Sequence, residues 1–466
     1  MRILISGGTV VSPTGTQAAD VLVDDERIVA LAAPGSDIAI SFAEGARRVD
    51  ASGRLVIPGA LDVHTHMEMP FGGTRSMDTF ATGTQAAAWG GTTTIVDFAI
   101  QRKGETLHSG LDALHHKAEG HCAIDYGFHM IVSDVNEQSL KEMDQLVGEG
   151  VTSFKLFMAY PGVFYSTDGD ILKAMQQARD SAATVMMHAE NGIAIDVLVS
   201  QALSRGETAP RFHGISRPDR LEAEATGRAI TLAKVAGCPV YIVHLSTTGA
   251  LEAVAEARAQ GQNAFAETCP QYLFLSADDM ARDGFEGAKY VCSPPLRAKE
   301  HQANLWRGLR TNDLSVVSTD HCPFCFKEQK ELGIGDFSKI PNGLPAVEHR
   351  VDLTFQGVLA GEITLPRWVE VNATTPARMF GLYPRKGVLA PGSDADIVVY
   401  DPAAKQTLSA ATHHMNVDYS TYEGKQITGR VETVLSRGKF VIDAGRYVGS
   451  EGHGKYLVRA ANGYLV

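Results

Sequence analysis

The chain is short of basic residues and of cysteine, and it has no long apolar run. Lysine and arginine number 42 against 54 aspartates and glutamates, a formal charge of −12. Phosphate contacts need clustered cations, so this deficit argues against nucleic acid as a partner. Only six cysteines occur in 466 residues, at 122, 238, 269, 292, 322 and 325. They are scattered through mostly apolar surroundings, and a chain of this length needs no disulfide scaffold, so reduced thiols are expected. Cys322 and Cys325 form a Cys-x-x-Cys, but no second pair stands at zinc-finger spacing, and neither a structural zinc nor a redox pair is expected there. No stretch reaches the ~20 apolar residues of a membrane span. The apolar run at Ile3-Leu4-Ile5 is too short for a signal peptide. A cytoplasmic protein without a membrane partner is the expectation. Internal repeats and low-complexity segments are also missing.

What is there is ordinary core-forming material, 44% hydrophobic and 21% charged, in a length that suits a large domain with a smaller companion. Residues 1–54 read as short strands, Ile3-Leu4-Ile5, Thr9-Val10-Val11, 19–23 and 28–31, punctuated by Gly7-Gly8, Pro13 and Asp24-Asp25. From Leu55 strands alternate with amphipathic stretches. The predicted strands are 55–64, 92–99, 126–132, 153–158, 183–189, 239–245, 263–268 and 314–319. Predicted helices include 168–180, opened by the capping-box-like Thr167-Asp168-Gly169-Asp170, and 249–260, stopped at Gly261. Residues 219–236 and 299–310 have the same texture. Eight strands with intervening helices predict an α/β fold, a (β/α)8 TIM-like barrel with its site at the C-terminal strand ends. A loop over 323–346 and helical patterns at 346–360 and 366–373 follow. Strand texture then returns at 396–400, 431–435 and 439–442. The expected organisation is a discontinuous β-sandwich domain from both chain ends, 1–54 and 386–466, with the barrel, 55–385, inserted between.

The ends of those strands carry the chemistry. The first ends in His64-Thr65-His66, whose two imidazoles share a face because strand side chains alternate. The fourth contains Lys155, the fifth ends at His188, the sixth at His244 and the eighth at Asp320. Apolar strands seldom finish in metal-ligand residue types, and here five do. Four imidazoles, a carboxylate and a lysine are too many ligands for one tetrahedral zinc, so two divalent cations sharing a bridge are expected. An ammonium would repel them. A dry, cationic site lowers the lysine pKa, and a neutral amine can take up carbon dioxide as a carbamate, a bidentate bridging anion. Zinc is the first expectation for the metal, with manganese or cobalt as substitutes. Two such cations lower the pKa of a bridging water enough to supply hydroxide near neutral pH.

The set His64, His66, Lys155, His188, His244 and Asp320 resembles, in order and spacing, the two-metal amidohydrolases with a carboxylated lysine. Within them the chain looks like the dihydropyrimidinase/hydantoinase family. Supporting strings are His66-Met67-Glu68-Met69-Pro70-Phe71-Gly72-Gly73, Phe154-Lys155-Leu156-Phe157-Met158-Ala159-Tyr160, Cys292-Ser293-Pro294-Pro295-Leu296-Arg297, Asp320-His321-Cys322-Pro323-Phe324 and Lys339-Ile340-Pro341-Asn342-Gly343. The likeness spans nearly the whole chain. It implies N6-carboxylation of Lys155, a Tyr160 hydroxyl that stabilises an oxyanion, and Ser293 and Asn342 holding the substrate's ureide edge largely through backbone groups. It also implies a homotetramer, with 440–466 a possible contact segment. Asp320 is then placed to take a proton from the attacking water and return it to the leaving nitrogen. His321 is expected to be a loop or packing residue, and Glu190-Asn191 to be able to start a helix. His115, His116, His413 and His414 are expected at the surface.

The resemblance implies hydrolytic ring opening of cyclic ureides, first of all 5,6-dihydrouracil and dihydrothymine to N-carbamoyl-β-amino acids, with 5-monosubstituted hydantoins also accepted. Glu68 stands where dihydroorotase-like relatives place a carboxylate-binding arginine, which favours a carboxylate-free ring. Apolar residues near Phe71, Phe157, Met158 and Phe164 are expected to cover the ring. Two rival readings are an allantoinase-like enzyme and a non-catalytic protein like the collapsin-response mediators. The latter lack several ligands of the set present here.

Overall fold

The computed structural model describes residues 1–465, so Val466, the last residue of the expected tail, lies outside it. Eight parallel strands form one sheet in strict chain order: β1 (Ala60–Thr65), β2 (Thr92–Ile100), β3 (Asp125–Ile131), β4 (Ser153–Phe157), β5 (Thr184–His188), β6 (Val240–Ile242), β7 (Ala264–Thr268) and β8 (Val316–Val317). Parallel strands are covered on both faces, which is why these segments are nearly continuous apolar runs. Leu61, Val63, Val96, Ile131, Met186 and Phe265 fill the interior. Ile95, Phe128, Phe154, Leu156, Val185 and Ile242 face outward onto the helices. The ring closes through Asp62, whose carboxylate accepts from the Thr319 hydroxyl at 2.6 Å and the Thr319 amide at 3.2 Å, and through a bridge between Thr65 and His321.

The predicted strand 55–64 is two strands, a correction to the expected start of the barrel. Leu55–Pro58 pairs with Ile397–Thr407 and with Thr9–Ser12 in a separate seven-stranded sheet; only after Gly59 does the chain enter β1. At Gly59 a Cβ would lie 2.1 Å from the Thr93 hydroxyl oxygen, so only glycine lets the chain cross there. That sheet packs against a four-stranded one built from residues 2–50, burying Ile3, Val21, Val56, Ile397, Val399 and Leu435 between them. Within the N-terminal stretch read as all strand, Asp37–Ala43 is a short helix capped by Ser36.

The helices largely follow their sequence signals. Asp168–Asp180 begins with a capping box between Thr167 and Asp170, and Thr248–Ala259 ends before Gly261, whose φ is +75°. The chain's last segment does not stay with the sandwich. Tyr456 bridges to Tyr126 beside β3, Leu457 joins the barrel-interior cluster, and Arg459 donates to the carbonyl of Phe128 and, at 3.0 Å, to the Ser153 hydroxyl. It closes the end of the barrel opposite the strand C-termini.

Candidate active site

Five of the six ligand-type residues sit at or just beyond the end of a strand, and Lys155 is the exception. His64 is in the last turn of pleat in β1 with His66 just beyond it; Lys155 is inside β4; His188 ends β5; His244 follows β6 by two residues and Asp320 follows β8 by three. The loops then leave at once. Asn191 caps Gly192–Ser204, its side chain accepting from the Ala194 amide at 3.1 Å, which settles the helix start expected after His188. Thr247 caps Thr248–Ala259 directly after His244. His244, Asp320 and Tyr160 have φ of +40°, +53° and +61°. Non-glycine residues rarely hold that conformation, and three around one cleft mark a backbone bent to aim side chains.

The aimed groups meet. Lys155 Nζ lies 2.9 Å from His64 Nε2, and an Asp320 oxygen lies 3.2 Å from Nε2 of both His64 and His66. The His244 ring is 5.4 Å from His64 and 4.6 Å from His188, centre to centre. Tautomers are set from outside the cluster. His64 Nδ1–H donates to Glu267, which also accepts from the Tyr241 hydroxyl at 2.8 Å and the His244 amide at 3.1 Å. His188 Nε2 pairs with Glu190 at 2.9 Å, and Glu190 lies 3.7 Å from Arg297. The Asp97 carboxylate accepts from the Thr65 hydroxyl and the Met67 amide at 2.7 and 2.9 Å, fixing the turn after His66.

Burial sets the charge states. It holds His64, His66 and His244 below the ordinary imidazole value, so these rings are neutral, as ligands must be. It also brings the Lys155 amine down to about 8. Burial opposes ionisation of Asp320, but the hydrogen bond from His66 and the charge of Lys155 act against it, and the carboxyl is held below its usual value.

Above this cluster Phe71, Phe157 and Phe164 wall a narrow cleft, with Phe157 and Phe164 stacked at 5.0 Å and Phe71 edge-on to Tyr160 at 5.4 Å. Met158, expected among them, turns into the core between barrel and helices. Glu68 lines a neighbouring cavity between the loops and not the cleft beside the histidines. Tyr160, Ser293 and Asn342 share the remaining wall. The Tyr160 hydroxyl is pushed up to about 12 by burial and by Glu190, so it is a proton donor. The Ser293 hydroxyl lies 3.2 Å from His213 Nε2, which also donates to the Cys292 carbonyl at 2.8 Å. Gly343 presses on the Asp320 loop: a Cβ there would sit 2.2 Å from the Cys322 carbonyl oxygen.

The structure thus brings His64, His66, Lys155, Tyr160, His188, His244, Ser293, Asp320 and Asn342 to one cleft. His321 is a buried packing residue, its Nε2 3.0 Å from Asp78 and its Nδ1 accepting from the Ala346 and Val347 amides. The four histidines expected at the surface stay away from the cleft. His115 is half-buried against Tyr456, and His414 stacks on Trp89 at 4.0 Å. Sequence reasoning missed Glu267 and Glu190. Glu267 had a visible signal, a carboxylate inside the apolar strand Ala264-Phe265-Ala266-Glu267-Thr268.

A family model described as the amidohydrolase family matches residues 55–441. The chain belongs to the amidohydrolase family. A D-hydantoinase of Streptomyces coelicolor is 67% identical to this amidohydrolase over 465 residues, covering 100% of this chain and 99% of the relative. The crystal structure of dihydropyrimidinase from Brevibacillus agri NCHU1002 superposes with a TM-score of 0.97 at 48% identity, covering 99% of both chains. An L-hydantoinase (dihydropyrimidinase) from Arthrobacter aurescens superposes at 0.88 with 30% identity over 98% of this chain and 99% of that one.

Amidohydrolases typically bind metals, and the donor set here fits a divalent cation. His64, His244 and Asp320 each offer a ligand atom, all within 4.8 Å of one another. The Nδ1 atoms of His66 and His244 are buried without a hydrogen-bond partner among the described residues. Neutral imidazoles and an ionised carboxylate are the ligand forms such an ion takes.

Proposed function

We propose that this amidohydrolase opens the ring of cyclic ureides by hydrolysis, acting on 5-monosubstituted hydantoins and on 5,6-dihydrouracil and dihydrothymine. Water adds to a ring amide carbonyl and the C–N bond breaks. Hydantoins then give N-carbamoyl-α-amino acids, and dihydropyrimidines give N-carbamoyl-β-amino acids. The observation that carries the reading is Lys155 Nζ at 2.9 Å from His64 Nε2, with Asp320 3.2 Å from the same nitrogen. A lysine in the middle of a histidine–carboxylate cluster has no structural purpose that an apolar residue would not serve at lower cost.

In this reading two divalent cations, zinc first, are held by His64, His66, Lys155 as its N6-carboxylate, His188, His244 and Asp320. When bound, they supply Lewis acidity, activating water and polarising the amide carbonyl. Asp320, held ionised, accepts a proton from the attacking water and passes it to the departing ring nitrogen. Tyr160 keeps its proton and donates it in a hydrogen bond to the oxygen on which charge develops. Backbone groups of Ser293 and Asn342 hold the ureide edge. Phe71, Phe157 and Phe164 exclude bulk water and lie against the 5-substituent.

The names of the relatives, D-hydantoinase and dihydropyrimidinase, support both ring types, and we extend the proposal to the D-enantiomers of 5-substituted hydantoins. A homotetramer in the cytoplasm belongs to the same proposal. Ile193 and Val197, both about half exposed on an apolar helix beside the cleft, support association. Among the described residues no helix is long and apolar enough to cross a membrane. Metal analysis of the purified protein, followed by turnover of dihydrouracil, a D- and an L-5-substituted hydantoin and allantoin, tests the reading. Two metals per chain with turnover of the hydantoin and dihydrouracil support it. A fully metallated protein inert toward all four overturns it.

A further inference from the structure

The loop over 323–346 buries a lysine that the chemistry above does not use. Lys330 begins a short 3-10 turn, Lys330–Gly333, and its side chain is completely inaccessible to solvent. Its Nζ donates to three backbone carbonyls, those of Val291 at 2.9 Å, Pro341 at 2.6 Å and Gly343 at 2.9 Å. Among the described residues it has no carboxylate partner within ion-pair distance; the ring of Phe324 lies 5.8 Å away. Three N–H bonds thus meet three acceptors, which accounts for every proton of an ammonium group.

A charge buried without a counter-ion is costly, so filling space does not explain it. What it does is join two segments distant in sequence. Val291 stands two residues before Ser293, while Pro341 and Gly343 flank Asn342 on either side. The segments also meet directly, the Gly343 amide donating to the Val291 carbonyl at 3.1 Å. In extended chain, carbonyls of residues two apart share a side and the one between is turned away. With the carbonyls of Pro341 and Gly343 both held by Lys330, the residue between them, Asn342, is pinned on either side where it lines the cleft beside Ser293. Burial lowers the amine to about 7.

We infer that Lys330 is a positioning residue for substrate: its ammonium clamps the Val291–Ser293 and Pro341–Gly343 segments at the spacing at which their backbone groups receive the ureide edge of the ring. The assignment rests on the reading of Ser293 and Asn342 given above. None of the proposed metal ligands touches Lys330 Nζ, so a positioning role is told from a merely structural one by a KM that moves while metal content stays.

The test is steady-state kinetics of Lys330→Met and Lys330→Arg on dihydrouracil and a 5-monosubstituted hydantoin, with metal content and thermal stability measured alongside. In Lys330→Met, KM rises by about tenfold or more, kcat stays within about threefold and both metals are retained; Lys330→Arg, which keeps the donors, recovers part of KM. A folded Lys330→Met protein with wild-type KM overturns the assignment, as does loss of metal and kcat at unchanged KM. If Lys330→Met does not accumulate as folded protein, Lys330→Gln, with fewer donors, takes its place under the same two outcomes. The underlying reading is probed separately with wild-type enzyme and a cyclic imide of equal ring size, which lacks one ureide nitrogen. No KM penalty on the imide removes the basis of the assignment. A penalty on the imide combined with wild-type KM in Lys330→Met overturns the Lys330 assignment alone.

Discussion

Glu267 and His64 are joined by a buried hydrogen bond in which the ring Nδ1–H donates to the carboxylate, leaving Nε2 with its lone pair toward Lys155 and Asp320. The carboxylate is two steps from any reacting atom, yet it decides which nitrogen of His64 is free to bind. Glu267 also accepts from the backbone amide of His244, so one side chain orients the His64 imidazole and holds the backbone that carries His244. Replacing it with glutamine is expected to weaken metal affinity by about 10–100-fold with the fold intact. Metal titration of the variant checks this, and wild-type affinity would show that His64 is oriented by other means.

Lys155→Ala is expected to lose metal and activity together. A short carboxylic acid added to the variant is expected to restore part of both, because it supplies the two oxygens of the proposed carbamate. Unchanged metal content in Lys155→Ala would show that the lysine only packs against Phe98, whose ring lies 4.3 Å from Nζ.

Tyr160→Phe removes a hydroxyl while keeping the ring that packs on Phe71 and His188. Loss of one oxyanion donor costs about a hundredfold or more in kcat, and metal content is expected to stay at the wild-type level. Loss of metal in this variant would contradict a role confined to the substrate oxygen.

Away from the cleft, burial pushes the Asp352 carboxyl up to about 7, with Gln406 donating to it at 2.9 Å. In the unfolded chain the same group ionises near its usual value of about 3.9. The folded state therefore binds more protons across this window. The associated stability is complete below about pH 4, falls as pH rises and is gone above the folded value. Asp352→Asn cannot ionise, so its melting temperature is expected to exceed that of the wild type at about pH 8, with the advantage shrinking at about pH 5. A Tm difference independent of pH would contradict the assignment.

Much of this was legible in the letters. His64, His66, His188, His244 and Asp320 stood out because a polar ligand type at the end of an apolar strand conflicts with burial unless something binds it. Lys155 stood out for the same reason inside a strand. The break at Gly59 was hidden because Leu55–Pro58 and Ala60–Thr65 are both apolar, and periodicity cannot tell which sheet each joins. β8 pairs over only two residues where six were expected, since Asp62 and Thr319 side chains do the work of further strand pairing. Lys330 was invisible in a polar loop, because its burial comes from two segments, at Val291 and at Pro341–Gly343, that only the folded chain brings together. The left-handed backbone of Tyr160, His244 and Asp320 has no signature in those residue types.

The proposed activity rests on a pair of cations joined by a carboxylated Lys155. Metal-free protein titrated with zinc in the presence of 13C-bicarbonate, with carbamate signal and hydantoin turnover followed together, tests it most directly. Activity and a carbamate resonance are expected to rise together and saturate at about two metals per chain. Full activity at one metal, or at two with no carbamate resonance, would contradict it.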